Sequence, residues 1–383
     1  MRIKKLPWGG KYSGSLSKGC QYCQKGQSSV IFLTGKCNVG CYYCPISQER
    51  RGKEISFINE RPINSWEDIK EEIKLCNSKG VSFTGGDPLL EHDLCYQYAC
   101  QIKKEFGSKF YIHLYTPGRE GNDEIFEKLS LVIDEIRFHP IKKDDLEKLA
   151  LAIPKKWNVG LEIPALPGIN KKKFFRQFVE EYFTLSSKYK KKVIFINLNE
   201  LEITGSNINN FPSEFSKGDG EVTSEQEAME IIKFINNNYS KFSVHYCPIE
   251  EKGRIQLGRR FINRAKSVML PSDLLVEEWH ESYDTYGVLV RGVIRIKNSE
   301  NDVNNLLFSL NSLKKMLIES FRIPPEQITL DKLKYQILTR ADFLEENADE
   351  LKIFFKENSI TAIIGMIEEY PTFERTEISF FPL

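Results

Sequence analysis

The sequence predicts an α/β protein with a parallel sheet, followed by a small α+β domain. Between residues 29 and 250, apolar runs rich in β-branched and aromatic residues alternate with amphipathic runs of helical length. This alternation is typical of parallel βαβ units. From about residue 274 the pattern changes to mixed strands and helices, with Pro324-Pro325 and Pro371 punctuating the connections. The chain is therefore expected to divide into a main α/β part and a smaller C-terminal part.

The main part is expected to contain seven strands joined largely by helices. The strands are Val30–Leu33, Val81–Thr84, Phe110–Tyr115, Ile133–Phe138, Asn158–Ile163, Val193–Leu198 and Phe242–Tyr246. The helices are Trp66–Cys76, His92–Phe106, Asn122–Leu131, Lys171–Lys188 and Ser224–Asn237. Ser65 is suited to cap the first helix, because a serine oxygen can accept from the N–H groups of the first turn. Periodicity alone does not separate a barrel from an open, doubly wound sheet.

The flanking segments complete the predicted organisation. Residues 1–28 form an N-terminal cysteine-containing segment, 29–250 the α/β part, 251–273 a basic connecting helix and 274–383 the α+β domain. In that domain, a ferredoxin-like or related sandwich arrangement is expected. Its elements are a strand at Gly287–Ile296, a helix at Asn301–Phe321, a strand at Ile328–Thr339, a helix at Arg340–Asn358, and strands at Ile360–Glu369 and Arg375–Phe381. The polar loop Asn207–Asp219 is a candidate lid.

Composition limits the classes of function. Lys and Arg number 54 and Asp and Glu 53, so a formal net charge of +1 gives no global reason to expect nucleic-acid binding. The nine cysteines occur without an apolar leader, which favours a reduced, metal-binding protein over a disulfide scaffold. No apolar stretch reaches the length of a transmembrane helix. The sequence thus predicts a cytoplasmic protein without membrane insertion.

Three cysteines with the spacing C-x3-C-x2-C form the main chemical motif. Cys37, Cys41 and Cys44 follow the first predicted strand, at the end where parallel α/β folds build their sites. Three thiolates can hold a [4Fe-4S] cluster and leave its fourth iron open to a small molecule. The alternatives are zinc ligation, which usually uses paired C-x2-C units, and unrelated buried thiols.

A second motif, Thr84-Gly85-Gly86-Asp87-Pro88, follows the second predicted strand. Together the two motifs resemble those of the radical S-adenosylmethionine (SAM) superfamily, over roughly residues 29–250. In that family an aromatic residue before the last cysteine lies beside the adenine, and here it is Tyr43. The family's turn more often carries glutamate where this chain has Asp87. The two glycines allow close backbone approach to the methionine group, and a carboxylate complements its ammonium.

The resemblance implies a fold and a reaction. The fold is a partial (β/α)6 barrel of the TIM-like, radical SAM type. The reaction is reductive cleavage of SAM at a [4Fe-4S] cluster, giving a 5′-deoxyadenosyl radical that removes a hydrogen atom from substrate. A ferredoxin or flavodoxin is the implied electron donor. The whole chain resembles an archaeal group of predicted iron–sulfur oxidoreductases related to the pyruvate formate-lyase activating enzyme. That group has no secure substrate, so the resemblance assigns none to this chain.

Polar residues at predicted strand ends are further candidates for cofactor binding. Thr116, Glu162 and Asn197 follow or close the third, fifth and sixth predicted strands. Their side chains are suited to hydrogen-bond ribose hydroxyls or the methionine carboxylate. Each is equally suited to cap a helix or to satisfy loop backbone.

A second metal site is a further hypothesis. Cys20 and Cys23 form a C-x2-C pair before the first strand, while His245 and Cys247 lie at the last one. These four ligands would suit zinc or an auxiliary cluster. The alternative is free thiols or a redox pair, with His245 packed in the core. Small core residues on helices are the expected role of the remaining cysteines, Cys76, Cys95 and Cys100.

A basic run beyond Cys247 bears on the substrate. The run consists of Lys252, Arg254, Arg259, Arg260, Arg264 and Lys266. It could bind phosphate in RNA or a polar lipid head, or it could be a solvated helix face. The basic run and the extra domain together make tRNA the first candidate substrate and protein the second. The contrasting hypothesis is a non-catalytic iron–sulfur or zinc protein for electron transfer or complex assembly, against which the Gly85-Gly86 turn argues.

Overall fold

The chain folds into two compact units, Met1–Arg260 and Phe261–Leu383. The boundary lies inside the predicted connecting segment 251–273, which is therefore not a separate part, and residues 1–28 belong to the first unit. A computed structural model describes residues 1–142, 145–168, 173–191, 193–211, 223–239, 241–277, 287–296 and 303–383. The candidate lid Asn207–Asp219 lies mostly outside these ranges.

The first unit is an α/β structure, as predicted. Its elements in chain order are β1 (Ile3–Lys5), β2 (Lys11–Ser13), α1 (Lys18–Cys23), β3 (Ser28–Thr34), β4 (Phe57–Ile58), β5 (Arg61–Pro62), α2 (Trp66–Leu75), β6 (Gly80–Gly85), α3 (His92–Phe106), β7 (Tyr111–Thr116), α4 (Asp123–Leu129), β8 (Glu135–Phe138), α5 (Asp145–Ala152), β9 (Asn158–Pro164), α6 (Lys173–Lys188), β10 (Ile194–Asn199), α7 (Ser224–Asn238), β11 (Ser243–Cys247) and a π-helical segment (Glu251–Leu257). The next helix, α8 (Gly258–Val268), begins in the first unit and continues into the second.

The sheet of the first unit is largely parallel. Its order is β1-β2-β11-β10-β9-β8-β7-β6-β3-β4-β5. In the described chain β3 and β6 to β11 form seven parallel strands in sequence order, at the seven places expected from the sequence and one more than a (β/α)6 barrel contains. The antiparallel pairs β1–β2 and β4–β5 extend the two edges and were not predicted. Because the seven strands are parallel, their carboxyl ends lie along the same edge of the sheet.

The two faces of the sheet differ in polarity. On β7 and β8, Ile112, Leu114, Ile136 and Phe138 belong to the main apolar core with the helices. Successive side chains on a strand point to opposite faces, so the intervening residues face the other side. That face carries buried polar residues: His113, Glu135, Arg137, Asn197 and His245. α1 packs on it, since a Cβ on Gly19 would lie 2.6 Å from an Arg137 guanidinium nitrogen.

The second unit has an antiparallel sheet with helices, the expected α+β class. Its elements are β12 (Leu274–Leu275), β13 (Leu289–Ile296), α9 (Val303–Phe321), β14 (Thr329–Asp331), β15 (Gln336–Thr339), α10 (Ala341–Glu346), α11 (Ala348–Glu357), β16 (Ala362–Glu369) and β17 (Glu377–Pro382). The described strands run in the order β14-β15-β13-β16-β17, with β12 beside β13. The order of β13 to β16 is that of a ferredoxin-like β-α-β-β-α-β sheet.

Two predicted elements of this unit are divided. The single strand expected at Ile328–Thr339 is a hairpin, whose turn includes Tyr335 at a φ of 50°. The single helix expected at Arg340–Asn358 breaks at Asn347. Among all the helices described in the chain, none combines the length and the apolar character needed to cross a bilayer.

Candidate active site

The loop after β3 carries Cys37, Cys41 and Cys44 at the carboxyl edge of the parallel sheet. All three cysteines line one cavity of about 470 Å³. Gly40 within this loop has a φ of 69°, a left-handed conformation that glycine adopts without strain. Three thiols around one cavity are a donor set suited to an iron–sulfur cluster. The residues present therefore fit the cluster that the sequence motif implies.

Burial affects the thiols of this loop. It raises the pKa of Cys41 to about 11 and also raises the pKa of Cys37. Since the thiolate is the metal-binding form, a cluster that binds here displaces thiol protons. At the end of the loop, the Arg51 guanidinium donates to the backbone oxygen of Cys44 at 3.1 Å. This contact fixes the chain next to the third cysteine.

The Gly85-Gly86 turn packs backbone to backbone against the start of the cysteine loop. Gly86 N donates to Thr34 O, and Asp87 N donates to Lys36 O, each at 2.7 Å. A Cβ on Gly86 would overlap the carbonyl oxygen of Lys36. Thr84 and both glycines also line the cavity. The turn and the loop thus form one continuous wall, and the second glycine is required by the loop itself.

Asp87 fastens this turn to the end of β7. Its Oδ1 accepts hydrogen bonds from Thr116 Oγ1 at 2.7 Å and from Leu89 N at 3.1 Å. Burial raises the pKa of the Asp87 carboxyl. Thr116 also accepts from Gly118 N at 2.8 Å and lines the cavity, whereas Asp87 is not among the described lining residues. The observed contacts of Asp87 are therefore those of a residue that positions the turn.

Tyr43 is held against the cavity wall by His139. The Tyr43 hydroxyl lies 2.7 Å from His139 Nε2, and His139 Nδ1 lies 2.9 Å from the backbone oxygen of Glu162. A carbonyl oxygen can only accept, so Nδ1 carries the proton and Nε2 accepts from Tyr43. Burial lowers the pKa of His139, in keeping with a neutral ring. His139, at the end of the fourth predicted strand, also lines the cavity.

Glu162 presents a carboxylate at the same cavity. It accepts from Asn199 Nδ2 at 2.6 Å and from Asn197 Nδ2 at 2.9 Å. Glu162 and Asn199 line the cavity, but Asn197 is 2% exposed and supports Glu162 from behind. Of the three strand-end candidates, the structure thus brings Thr116 and Glu162 to the cavity. Asn199 lies two residues after Asn197 and so on the same strand face.

Comparison with known proteins now identifies the family. The profile of the radical SAM superfamily matches residues 31–165. A Methanocaldococcus jannaschii protein, provisionally described as a glycyl-radical enzyme activating enzyme, is 32% identical over 385 residues, covering 96% of this chain and 93% of the relative. The chain belongs to the radical SAM superfamily.

More local similarity links the chain to other members. A GTP 3′,8-cyclase of Aquifex aeolicus is 39% identical over 67 residues, 17% of this chain and 20% of that protein. A GTP 3′,8-cyclase of Aliarcobacter butzleri is 26% identical over 146 residues, 35% of this chain and 43% of that protein. The chain is thus a radical SAM enzyme, and the family implies a [4Fe-4S] cluster and SAM. The hypothesis of a non-catalytic carrier is not supported.

Beneath the cavity, this radical SAM enzyme has a buried polar centre at Arg137. The guanidinium donates to Glu135 at 2.6 Å, to the Tyr115 hydroxyl at 2.7 Å and to Ser17 Oγ at 2.9 Å. Burial opposes its charge, but Cys20 and Glu135 outweigh burial and hold the pKa of Arg137 above its usual range. These bonds tie the start of α1 to the sheet.

The second set of candidate ligands is only partly brought together. His245 and Cys247 group with Glu251, their ligand atoms all within 4.8 Å of one another. Cys20 lies 3.5 Å from an Arg137 nitrogen. Burial raises the pKa of its thiol, but Arg137 and then His245 outweigh burial and lower it. Cys20 and Cys23 are both outside this group, and burial raises the pKa of the Cys23 thiol to about 11. Of the four expected ligands, the structure therefore groups His245 and Cys247, with Glu251 as the third member.

The remaining cysteines occupy the places predicted for core residues. Cys76 and Cys95, on or next to helices α2 and α3, are fully buried. Cys100, on α3, is partly buried. Burial raises the pKa of Cys95 beyond the usual thiol range. These thiols are consequently separate from the cysteine loop that lines the cavity.

The basic run is engaged in contacts within each unit. In the first unit Arg259 donates to Gln24 O and Arg260 donates to Ser28 O. In the second unit Arg264 donates to Pro371 O. The other contacts are the ion pairs of Arg254 with Glu250 and of Lys266 with Glu277, and Lys252 lines the cavity. Most cations of the run thus contact groups within their own unit, two of them as ion pairs.

Proposed function

We propose that this radical SAM enzyme activates a glycyl-radical enzyme, by removing a hydrogen atom from a backbone glycine of that protein. The end-to-end similarity to the Methanocaldococcus jannaschii protein described in these terms carries the proposal. A backbone Cα–H is a small target, so the partner protein must present it to the cavity as an exposed loop. A ferredoxin or flavodoxin would supply the required electron.

The contacts of the basic run support a protein substrate over tRNA. The tRNA preference rested on cations that now have partners in their own unit. A net charge of +1 adds no general attraction for phosphate. Protein therefore comes first among the substrate classes, and tRNA becomes the alternative that the experiment must distinguish.

The cavity residues divide into those that hold the cluster and those that hold SAM. Cys37, Cys41 and Cys44 would bind the cluster, while Thr84, Gly85, Gly86, Tyr43 and Glu162 would contact SAM. When bound, these two groups supply a one-electron carbon–sulfur cleavage and the hydrogen-abstracting radical that results. The polypeptide supplies positions and a cavity that excludes water.

Several side chains prepare these positions before any cofactor binds. The Asp87–Thr116 hydrogen bond fixes the glycine turn, and His139 fixes the Tyr43 hydroxyl. The Asn197 and Asn199 amides orient the Glu162 carboxylate towards groups that donate hydrogen bonds, such as ribose hydroxyls. Such preorganisation lowers the entropic cost of holding SAM in a reactive orientation.

Anoxic reconstitution tests the proposal. The full chain is supplied with iron, sulfide, dithionite and SAM, and 5′-deoxyadenosine is measured by mass spectrometry with and without extract from cells of the source organism. We expect the extract to stimulate 5′-deoxyadenosine formation and to develop an organic radical signal in electron paramagnetic resonance. If the cells are grown on glycine deuterated at Cα, the hyperfine splitting of that signal should collapse.

Treatment of the extract and two variants provide the controls. Protease should abolish the stimulation and ribonuclease should leave it intact; the reverse pattern would overturn the protein assignment in favour of RNA. Cys41→Ala should abolish product formation together with cluster absorbance. Cys100→Ala, a cysteine on α3 away from the cavity lining, should retain both.

A further inference from the structure

A second group of metal-binding side chains lies on the polar face of the sheet, outside the described lining of the SAM cavity. His245 and Cys247 are two residues apart on β11 and so point to the same face, and Glu251 follows at the start of the π-helical segment. Their exposed fractions are 4%, 6% and 0%. One ligand atom from each lies within 4.8 Å of the other two.

The polar atoms of this group are poorly satisfied. Neither ring nitrogen of His245, nor Glu251 Oε2, has a hydrogen-bond partner among the residues that the structure describes. His245 Nε2 lies 3.4 Å from Glu251 Oε1, without the geometry of a hydrogen bond. Gly10 lies directly against Glu251 Oε2, since a Cβ on Gly10 would overlap that oxygen. Buried polar atoms without hydrogen bonds are costly, so a bound ion is a natural explanation for them.

Neighbouring side chains are arranged as they are around metal ligands. Gln256 Nε2 donates to Cys247 Sγ at 3.2 Å, and the Gln24 amide donates to Glu251 Oε1. Hydrogen bonds of this kind orient the residues that bind metal ions. Cys20, on α1, interacts electrostatically with the His245 ring, is 7% exposed and provides a further buried thiol.

We propose that His245, Cys247 and Glu251 bind one Zn²⁺, with Cys20 as the fourth ligand. The mixture of nitrogen, sulfur and carboxylate oxygen suits zinc, whereas iron–sulfur clusters are held mainly by thiolates. Tetrahedral bonds of about 2.0–2.3 Å place ligand atoms roughly 3.3–3.8 Å apart. The observed spacing of up to 4.8 Å therefore needs only a small contraction.

This site is distinct from the proposed catalytic centre and does not depend on it. Four protein ligands leave no open position for water or substrate, which is the pattern of a structural zinc site. The ion would join α1, near the start of the chain, to β11 and the π-helical segment, which follow one another much later in the sequence. Bound zinc would therefore lock the N-terminal segment onto the polar face of the sheet.

Metal analysis of the full chain tests the site. The protein is produced in medium containing zinc and iron and purified without oxygen, and both metals are measured by mass spectrometry. We expect about one zinc per chain. His245→Gln and Cys247→Ser should lose zinc and keep cluster iron, whereas the triple variant Cys37→Ala/Cys41→Ala/Cys44→Ala should lose iron and keep zinc.

Cys23→Ser is the matched control, because Cys23 is on the same helix as Cys20 but its thiol interacts with Ser28, whereas that of Cys20 interacts with His245. It should keep zinc, while Cys20→Ser should release zinc more readily to a chelator. Wild-type protein without zinc, or zinc retained by both the His245 and Cys247 variants, would overturn the proposal. Loss of additional iron from Cys247→Ser would overturn it in favour of an auxiliary cluster.

X-ray absorption of the wild-type protein at the zinc edge keeps the proposal testable if the variants do not fold. A four-coordinate shell with both sulfur and lighter ligands is expected. A six-coordinate shell of oxygen and nitrogen alone would contradict the site. Neither metal analysis nor X-ray absorption uses SAM. Failure of the zinc proposal is therefore distinguishable from failure of the proposed radical reaction.

Discussion

At the residue scale, Gly86 joins the two segments that carry the cofactor motifs. Its amide bonds to Thr34 O, and the space where a Cβ would lie is filled by the carbonyl of Lys36. The requirement for glycine thus comes from the contact between the turn and the cysteine loop. A side chain here would move one wall of the cavity relative to the other.

We expect Gly86→Ala to reduce 5′-deoxyadenosine formation by roughly a hundredfold, because a displacement of about 1 Å in a catalytic site has that order of effect. Anaerobic product assays with matched iron content provide the measurement. Gly205→Ala is the control, since no described atom lies within 4 Å of a Cβ at that exposed position. Equal activity of the two variants would show that the close packing at Gly86 is not needed.

Thr116 allows the role of the buried Asp87 contact to be measured. In Thr116→Val the shape is kept, but Asp87 loses the 2.7 Å hydrogen bond and Gly118 N loses its acceptor. We expect the free energy of unfolding to fall by about 1–3 kcal/mol in chemical denaturation. Thr184→Val, on an exposed helix face, should change it by less than about 0.5 kcal/mol. A similar effect of both substitutions would contradict the positioning role.

At the element scale, the short strands at the two ends of the sheet protect its edges. The hairpin of β1 and β2 covers β11, and its outer strand carries Lys4 and Lys5. At the other end β5 contains Pro62, which cannot donate a hydrogen bond to another strand. Charged residues and proline at sheet edges discourage pairing with other chains.

Proline at Tyr12 should therefore have a larger effect than proline at Lys4. Tyr12 is in β2, which pairs with β1 on one side and with β11 on the other, whereas Lys4 is in the outermost strand. We expect Tyr12→Pro to lower the unfolding midpoint and to cause self-association. Proline would disrupt the pairing of β2 with its neighbours and so expose the edge of β11. Calorimetry and light scattering measure the two effects, and a monomeric Tyr12→Pro protein of wild-type stability would argue against this function of the hairpin.

Local sequence signals predicted the parallel strands and the cysteine loop, but not contacts made at a distance. Runs such as Val30–Leu33 are long enough to show strand character, whereas β4 and β5 contain two residues each. The three cysteines are close in sequence, so their spacing alone revealed them. Glu251 was missed because its proximity to His245 depends on how the π-helical segment leaves β11. No local motif of this chain specifies the substrate.

At the scale of the whole molecule, the second unit has its own buried network of charges. Arg375 makes two hydrogen bonds to Asp331, at 3.0 and 2.7 Å, and also bonds to Glu369. Arg291 pairs with Glu369 and with Asp273. Burial alone would raise the pKa of Asp331, but Arg375 outweighs burial and lowers it. Removing one partner from such a network leaves an uncompensated charge.

This network should make the second unit sensitive to acid. Because the pKa of Asp331 is lower in the folded state, its stabilising contribution is complete above the unfolded pKa of about 3.9 and is lost as the pH falls through the folded value. We expect Asp331→Asn to lower the unfolding midpoint at pH 6. Near pH 3 the difference in unfolding midpoint between the variant and the wild type should be smaller. Asp342→Asn, in an exposed pair with Arg340, should have a much smaller effect at both pH values. Calorimetry of the full chain at both pH values gives the comparison.

The position of the N-terminal segment also sets an order of events during synthesis. Tyr12 pairs with His245, and Ser17 bonds to Arg137, so these residues must wait for partners that are made much later. A nascent chain that stops before β11 already contains Cys37, Cys41 and Cys44 but lacks the strand against which β2 pairs. Lys252, which follows β11, also lines the cavity, so the cavity wall is complete only late in synthesis.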